Sequence, residues 1–160
     1  LQGENVSMAS KNPVLTTSKP SLMQTLLRLL LGAALLFAGI SHLTFARAEF
    51  LAQVPPWLPL DGDFVVVASG IVEIVLGLAL IYPGKYRVWV GWIAAAFFVA
   101  VFPGNISQYV NGIDGFGLNT DEARLTRLFF QPVLVIWALW STGAWQAWWA
   151  RQTQKSLSAR

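Results

Sequence analysis

Four long apolar stretches, separated by short polar segments, dominate the pattern of the chain. They cover residues 26–45, 64–82, 88–109 and 128–149. Each is about 20 residues long, which is the length an α-helix needs to cross roughly 30 Å of hydrocarbon. Lys, Arg, Asp and Glu within them are limited to Arg28, near the start of the first, and Glu73, near the middle of the second. We therefore predict four membrane-spanning helices, with the Arg28 side chain extended toward the lipid headgroups.

The segments outside these stretches suggest the domain organisation. Residues 1–22 are rich in Ser, Thr, Asn and Lys and lack a helical period, so they are predicted to form a flexible N-terminal tail. Residues 23–149 form the predicted transmembrane domain, and residues 150–160 a cytoplasmic C-terminal tail. A cleaved signal peptide is the alternative for the first stretch. Its continuation to Phe45 is long for the apolar region of a signal peptide, which favours a retained helix.

Helical periodicity places small and polar residues on one face of the first two stretches. Gly32, Gly39 and His42 fall on one line of the first, and Gly70, Glu73 and Gly77 on one line of the second. Small residues let membrane helices approach closely. These two faces are therefore predicted to point into a helical bundle, and they carry the polar residues with them.

The third and fourth stretches carry polar residues at a similar depth. At 1.5 Å per residue, the strongly polar groups of all four helices fall in the half of the membrane nearest to loops 46–63 and 110–123. Prolines at 103 and 132 are expected to kink the two helices there. The apolar residues 50–59 are expected to form an interfacial lid. We predict a ligand-binding pocket formed by His42, Glu73, Asn105, Arg127 and Gln131.

Composition narrows the class of protein. Hydrophobic residues make up 55% of the chain and charged residues only 12%, and the mean hydropathy is +0.54, which excludes an ordinary soluble domain. The eleven basic residues are scattered rather than gathered in one stripe, so nucleic acid is not an expected partner. With no cysteine and one histidine, the chain offers neither thiolate nor paired-histidine metal ligands, and no metal site is predicted.

The loop charges predict an orientation. Basic residues dominate the N-terminal tail, the turn at 83–87 and the C-terminus, whereas the other two loops are net acidic. Because basic loops remain on the cytoplasmic side, both termini are expected to be cytoplasmic. Tryptophans cluster at the same predicted boundary, as an aromatic belt would.

Each candidate residue also has a structural interpretation. Glu73 is costly in hydrocarbon, so it serves either in proton chemistry or as the structural partner of Arg127 or His42. We expect the Arg127 pair to couple. His42 either donates to a ligand or caps the end of its helix. Asn105 and Gln131 are also suited to hydrogen bonding between helices.

Several short motifs occur in a fixed order along the chain. They are GISH at 39–42, VPPWLP at 54–59, SGIVEIVLG at 69–77, FPGNI at 102–106, and the run from Arg127 to Gln131 before a tryptophan-rich stretch. Over about residues 24–145 this set resembles the DoxX-like family of small four-helix membrane proteins. The resemblance implies an all-α, polytopic four-helix bundle. It also implies a link to membrane redox complexes, because the family resembles membrane subunits named for a thiosulfate:quinone oxidoreductase.

We therefore expect a multi-pass protein of a bacterial-type inner membrane that acts as an accessory subunit of a redox system and binds a quinone or similar lipid-like ligand. Its expected partners are membrane lipids and other membrane or redox subunits. The sequence does not decide whether the chain is an enzyme; His42 and Glu73 are the candidates for a catalytic role. The alternative is a non-catalytic lipid-binding carrier, or a scaffold that packs against larger membrane partners.

Overall fold

The computed structural model describes residues 19–158, and this part of the chain is helical, without strands. Most of the predicted flexible tail, residues 1–22, lies outside the described residues. A 3-10 turn at Gly84–Tyr86 precedes α4. The α-helices are α1 (Leu22–Leu43), α2 (Arg47–Leu51), α3 (Gly62–Ile81), α4 (Arg87–Val110), α5 (Asp121–Ser141) and α6 (Ala144–Ser158).

Three helical segments are long and apolar enough to cross a membrane. They are Leu22–Leu43, Gly62–Ile81 and Gly84–Val110, and the bent pair formed by α5 and α6 is a fourth if it is taken as one span. Side-chain caps begin α1, α3 and α5, where hydroxyls or a carboxylate accept from backbone N–H groups that have no partner inside the helix. The first three predicted spans are confirmed as apolar helices, as expected of a membrane protein.

The prediction of a continuous fourth helix over residues 128–149 is wrong. The helix ends at Ser141, and α6 leaves α5 at an angle of 66°. The Thr142 hydroxyl donates to the Ala138 carbonyl at 2.7 Å, and Gly143 has a φ of +74°, which glycine adopts without a Cβ clash. Residues 150–158 continue α6, so the predicted domain boundary after residue 149 does not coincide with the end of a helix.

Glycines bring α1 and α3 into direct backbone contact. A Cβ placed on Gly39 would lie 2.5 Å from the Gly70 carbonyl oxygen, and one placed on Gly32 would lie 2.9 Å from the Gly77 carbonyl oxygen. The predicted inward orientation of the two glycine faces is therefore confirmed. The helix pair α1–α3 packs against the pair α4–α5 through a core that includes Leu31, Leu35, Leu76, Leu80, Phe98 and Ala138.

Arg28 is placed differently from the prediction. Its side chain is buried, with 8% of the residue exposed, and its guanidinium donates to the carbonyls of Leu80 and Ile81. These carbonyls belong to the last turn of α3, where the helix itself supplies no donor. Unsatisfied carbonyls are costly in hydrocarbon, so Arg28 caps α3 rather than extending to the headgroups.

At the opposite end of the helices, which we call the lid end, two loops close over the bundle. The first comprises α2 and residues 52–61, and the second residues 111–120. Arg124 holds the second loop: its guanidinium contacts Asp114 at 2.8 Å and Asp121 at 2.9 Å and donates to the Leu118 carbonyl. Residues of both loops line a cavity at this end, including Phe50 and Trp57 from the expected lid and Phe116 from the second loop.

Candidate functional site

A cavity of about 780 Å³ lies at the lid end, between the pairs α1–α3 and α4–α5. We call it the polar cavity because it contains the polar residues predicted from the sequence. Most of the other side chains around it are apolar. The five residues predicted from the sequence all line it: His42, Glu73, Asn105, Arg127 and Gln131. The fold therefore brings together, around one space, side chains from four helices that are far apart in sequence.

His42 and Glu73 form the polar part of the α1–α3 wall. The His42 Nδ1 atom lies 2.9 Å from the Glu73 Oε2 atom, and the two side chains are only 5% and 12% exposed. Ser69 Oγ lies 3.5 Å from the same nitrogen and donates to the Val66 carbonyl. A Cβ on Gly70 would lie 2.7 Å from the His42 Cβ, so glycine at this position leaves the space that His42 occupies.

The two partners considered for Glu73 are now distinguished. His42 is the partner observed, and none of the ion pairs within residues 19–158 joins Glu73 to Arg127. The Arg127 guanidinium instead lies over the Phe116 ring, with its Cζ atom 5.1 Å from the ring centroid. Arg127 thus faces the cavity with a cation–π contact and without an ion-pair partner in the described chain.

Asn105 and Gln131 join the two helices of the opposite wall. The Asn105 Nδ2 atom donates to Gln131 Oε1 at 2.9 Å, and Gln131 Nε2 donates to the Phe98 carbonyl at 2.6 Å. Both residues are buried, so the hydrogen bonds offset the cost of placing amides in an apolar interior. These hydrogen bonds give both residues a structural role in joining α4 to α5, and both side chains also line the cavity.

Two aromatic rings of the lid cover the cavity. Phe50 stands edge-on to the His42 ring and packs against Phe116, with 4.6 Å between the two phenyl centroids. The Phe116 N–H donates to the Glu49 carboxylate, which ties the second loop to α2. Sequence reasoning expected Phe50 in the lid but missed Phe116 and Glu49. The one available signal was an aromatic residue between two glycines, Gly115 and Gly117.

The arrangement is suited to an amphipathic ligand. His42, Glu73 and Arg127 are the ionisable side chains among those that line the cavity, and most of the other lining residues are apolar. Residues 19–158 contain no cluster of three or more His, Cys, Asp or Glu side chains that could hold a metal ion. A buried imidazole–carboxylate pair can donate, accept or exchange a proton with a bound head group.

Comparison with known proteins gives a family without an assigned function. No curated protein and no solved structure matches the chain. A model described as a domain of unknown function, DUF8561, matches residues 31–142. This region runs from α1 to the end of α5 and contains all five predicted site residues. Because the match covers most of the chain, the protein belongs to the DUF8561 family.

Proposed function

We propose that the protein is a four-helix integral membrane protein that binds a quinone in the polar cavity and serves as an accessory subunit of a membrane redox system. The observation that carries this proposal is the 2.9 Å contact between His42 and Glu73 in the wall of a largely apolar cavity. A buried ionisable pair is costly within a membrane and is typical of sites that handle protons or ligands.

The cavity has the two chemical characters that a quinone needs. Its apolar side chains suit an isoprenoid tail, and its few polar side chains offer hydrogen-bond donors to the carbonyl oxygens of the head. Asn105 and Arg127 would donate from the α4–α5 wall, and His42 from the α1–α3 wall. The volume of about 780 Å³ falls within the range common for ligand pockets.

Reduction of a quinone to a quinol takes two electrons and two protons. In this proposal His42 and Glu73 hold and transfer protons beside the head, since they share a contact and both line the cavity. The chain has no cysteine and only one histidine, so we assign the supply of electrons to a partner redox subunit. The resemblance to the DoxX-like family points to the same type of membrane complex.

The proposed setting is a bacterial-type inner membrane, with both termini in the cytoplasm. The lid end carries the acidic loops, and the turn at 84–86 and α6 at the other end are basic. By the positive-inside rule, the lid and the polar cavity would then lie in the outer half of the bilayer.

The test is a titration of the purified full-length protein with a short-chain ubiquinone, followed by tryptophan quenching. We expect saturable binding, and His42→Ala should weaken it about tenfold, the equivalent of one lost hydrogen bond to the head. Glu73→Gln should bind normally but flatten the pH dependence of any partner-linked turnover, because glutamine has a similar volume and does not titrate. Ser107→Ala is the matched control, since Ser107 is buried on α4 but does not line the cavity.

The alternative function is a lipid carrier or scaffold, which the largely apolar lining of the cavity also favours. Lipid extraction and mass spectrometry of the purified protein distinguish the two. A copurified quinone supports the proposal. A copurified phospholipid or sterol, together with no response to ubiquinone, would replace it with the alternative.

A further inference from the structure

A second feature lies at the end of the molecule opposite the lid, which we call the basic end. Its described charged residues are all positive: Lys19, Arg28, Lys85, Arg87, Arg151 and Lys155. The acidic residues of the described chain lie at the lid end, except for Glu73 in the middle of α3. Charge is therefore separated along the length of the molecule, and the basic end is complementary to an anionic surface.

Between α6 and the start of α4, the basic end contains a cavity of about 220 Å³. We call it the tryptophan cavity, because three of its six lining residues are tryptophans. The lining consists of Val88, Trp89, Trp92, Ala147, Trp148 and Arg151. It shares no residue with the polar cavity, so it is a separate feature of the fold.

The bend between α5 and α6 creates this cavity. Gly91 on α4 leaves room for the Thr142 side chain at the bend, and Ala144 and Ala147 pack α6 closely against the rest of the protein. The one-turn spacing of Ala144, Ala147 and Arg151 follows the buried side of the helix toward the cavity. Had α5 continued straight, Trp148 and Arg151 would not face Trp89 and Trp92 across a gap.

We propose that the tryptophan cavity binds the headgroup of an anionic phospholipid in the leaflet at the basic end. Tryptophan favours the region between hydrocarbon and water, where its ring packs against the glycerol and upper acyl chain. Arginine matches the oxygens of a phosphate with two parallel N–H groups. Arg151 is exposed beside the three rings, and α6 carries no acidic residue that would compete for it.

Position and charge favour a lipid over a soluble phosphate as the occupant. The half-exposed rings of Trp89, Trp92 and Trp148 offer apolar surface that inorganic phosphate would leave uncovered. Arg151, which lines the cavity, should contribute about 1 kcal/mol to the preference for an anionic lipid, which corresponds to about fivefold in affinity. The proposal does not depend on a quinone in the polar cavity and would stand or fall separately.

The experiment is native mass spectrometry of the full-length protein with phosphatidylglycerol or phosphatidylcholine of the same acyl chains. We expect the protein to retain phosphatidylglycerol about fivefold better. Arg151→Gln should remove most of this preference. Lys155 is an exposed basic residue of α6 outside the cavity, so Lys155→Gln should change the preference less than twofold. Trp148→Leu should weaken retention. Trp149 is a half-exposed neighbour that does not line the cavity, so Trp149→Leu should weaken it much less.

Three results would overturn the proposal. Equal retention of the two lipids would show that charge does not select the occupant. Equal losses for Arg151→Gln and Lys155→Gln would indicate diffuse attraction to the whole basic end and not a site. Competition by soluble glycerol phosphate as strong as by the lipid would mean that the cavity binds free phosphate esters. Circular dichroism of each variant controls for folding, and none of the four substitutions falls on a fully buried side chain.

Discussion

At the scale of the residue, the contact between His42 and Glu73 is expected to contribute strongly to the stability of the fold. Both side chains are nearly buried and their nitrogen and oxygen atoms lie 2.9 Å apart. Withdrawing either group from water is costly, and the contact offsets that cost only while both partners are present. Arg127 and His42 were both candidate partners for Glu73. In the structure the partner is His42, because Gly70 leaves room for the His42 side chain beside α3.

We predict that His42 and Glu73 are energetically coupled. Removing one partner leaves the other buried without its contact, so His42→Ala and Glu73→Ala should each lower the free energy of unfolding by about 3 kcal/mol. The double variant should lose at least 1 kcal/mol less than the sum of the two. The measurement is reversible denaturation of the four proteins in mixed micelles.

The control cycle pairs Glu73→Ala with Arg127→Ala. Since no ion pair joins these residues, their losses should add to within about 0.5 kcal/mol. Additive losses in the His42–Glu73 cycle, or strong coupling in the control cycle, would reverse the assignment of partners.

At the scale of the element, the helix pairs are held by different means. The α1–α3 pair relies on glycine and backbone contact, whereas the α4–α5 pair is joined by the hydrogen bonds between Asn105, Gln131 and the Phe98 carbonyl. Without a hydrophobic driving force between helices in lipid, close packing and interhelical hydrogen bonds supply the association. The α1–α3 pair should therefore be the more sensitive of the two to added volume.

A methyl group at the α1–α3 contact tests this directly. Gly39→Ala would place a Cβ 2.5 Å from the Gly70 carbonyl oxygen, and backbone cannot yield as a flexible side chain can. We expect a loss of about 2 kcal/mol or more in the free energy of unfolding. Gly62→Ala is the control: it also lies in a helix, and its Cβ would meet only the end of the Leu51 side chain, at 3.2 Å. Comparable stabilities of the two variants would contradict the packing described.

At the scale of the whole molecule, the two ends differ in charge and in the kind of space they enclose. The lid end holds the acidic loops and the polar cavity, and the basic end holds the tryptophan cavity and α6. This separation underlies both proposals, because a head group with polar contacts and a phosphate-bearing lipid would bind at opposite ends. The charge separation also predicts an orientation in the membrane, which labelling of the two ends can test.

The orientation is predicted from the positive-inside rule. Since the chain has no cysteine, single cysteines can be introduced without background labelling. In intact bacterial cells or spheroplasts, an impermeant thiol reagent should label Asp114→Cys but not Lys85→Cys, and permeabilised cells should label both. Both side chains lie near helix ends and are exposed, so the pair is matched for access. Labelling of Lys85→Cys alone would invert the proposed topology.

Much of the fold followed from local pattern. Runs of about 20 apolar residues predicted three of the spans, because helix length is set by the thickness of the hydrocarbon. Helical period alone also placed Gly39, Gly70, His42 and Glu73 on inward faces, and the polar groups at one depth. Period and rise are properties of every α-helix, so these features needed no knowledge of the tertiary structure.

Tertiary structure decided what period cannot encode, namely which inward residues meet. The partner of Glu73 depends on how closely α1 approaches α3. The burial of Arg28 depends on the position of the end of α3, whose carbonyls accept from its guanidinium. Phe116 joined the site only because its loop folds back onto α2. The break at Gly143 was hidden within a continuous apolar run, since hydropathy reports the solvent that a residue prefers and not the direction of the chain.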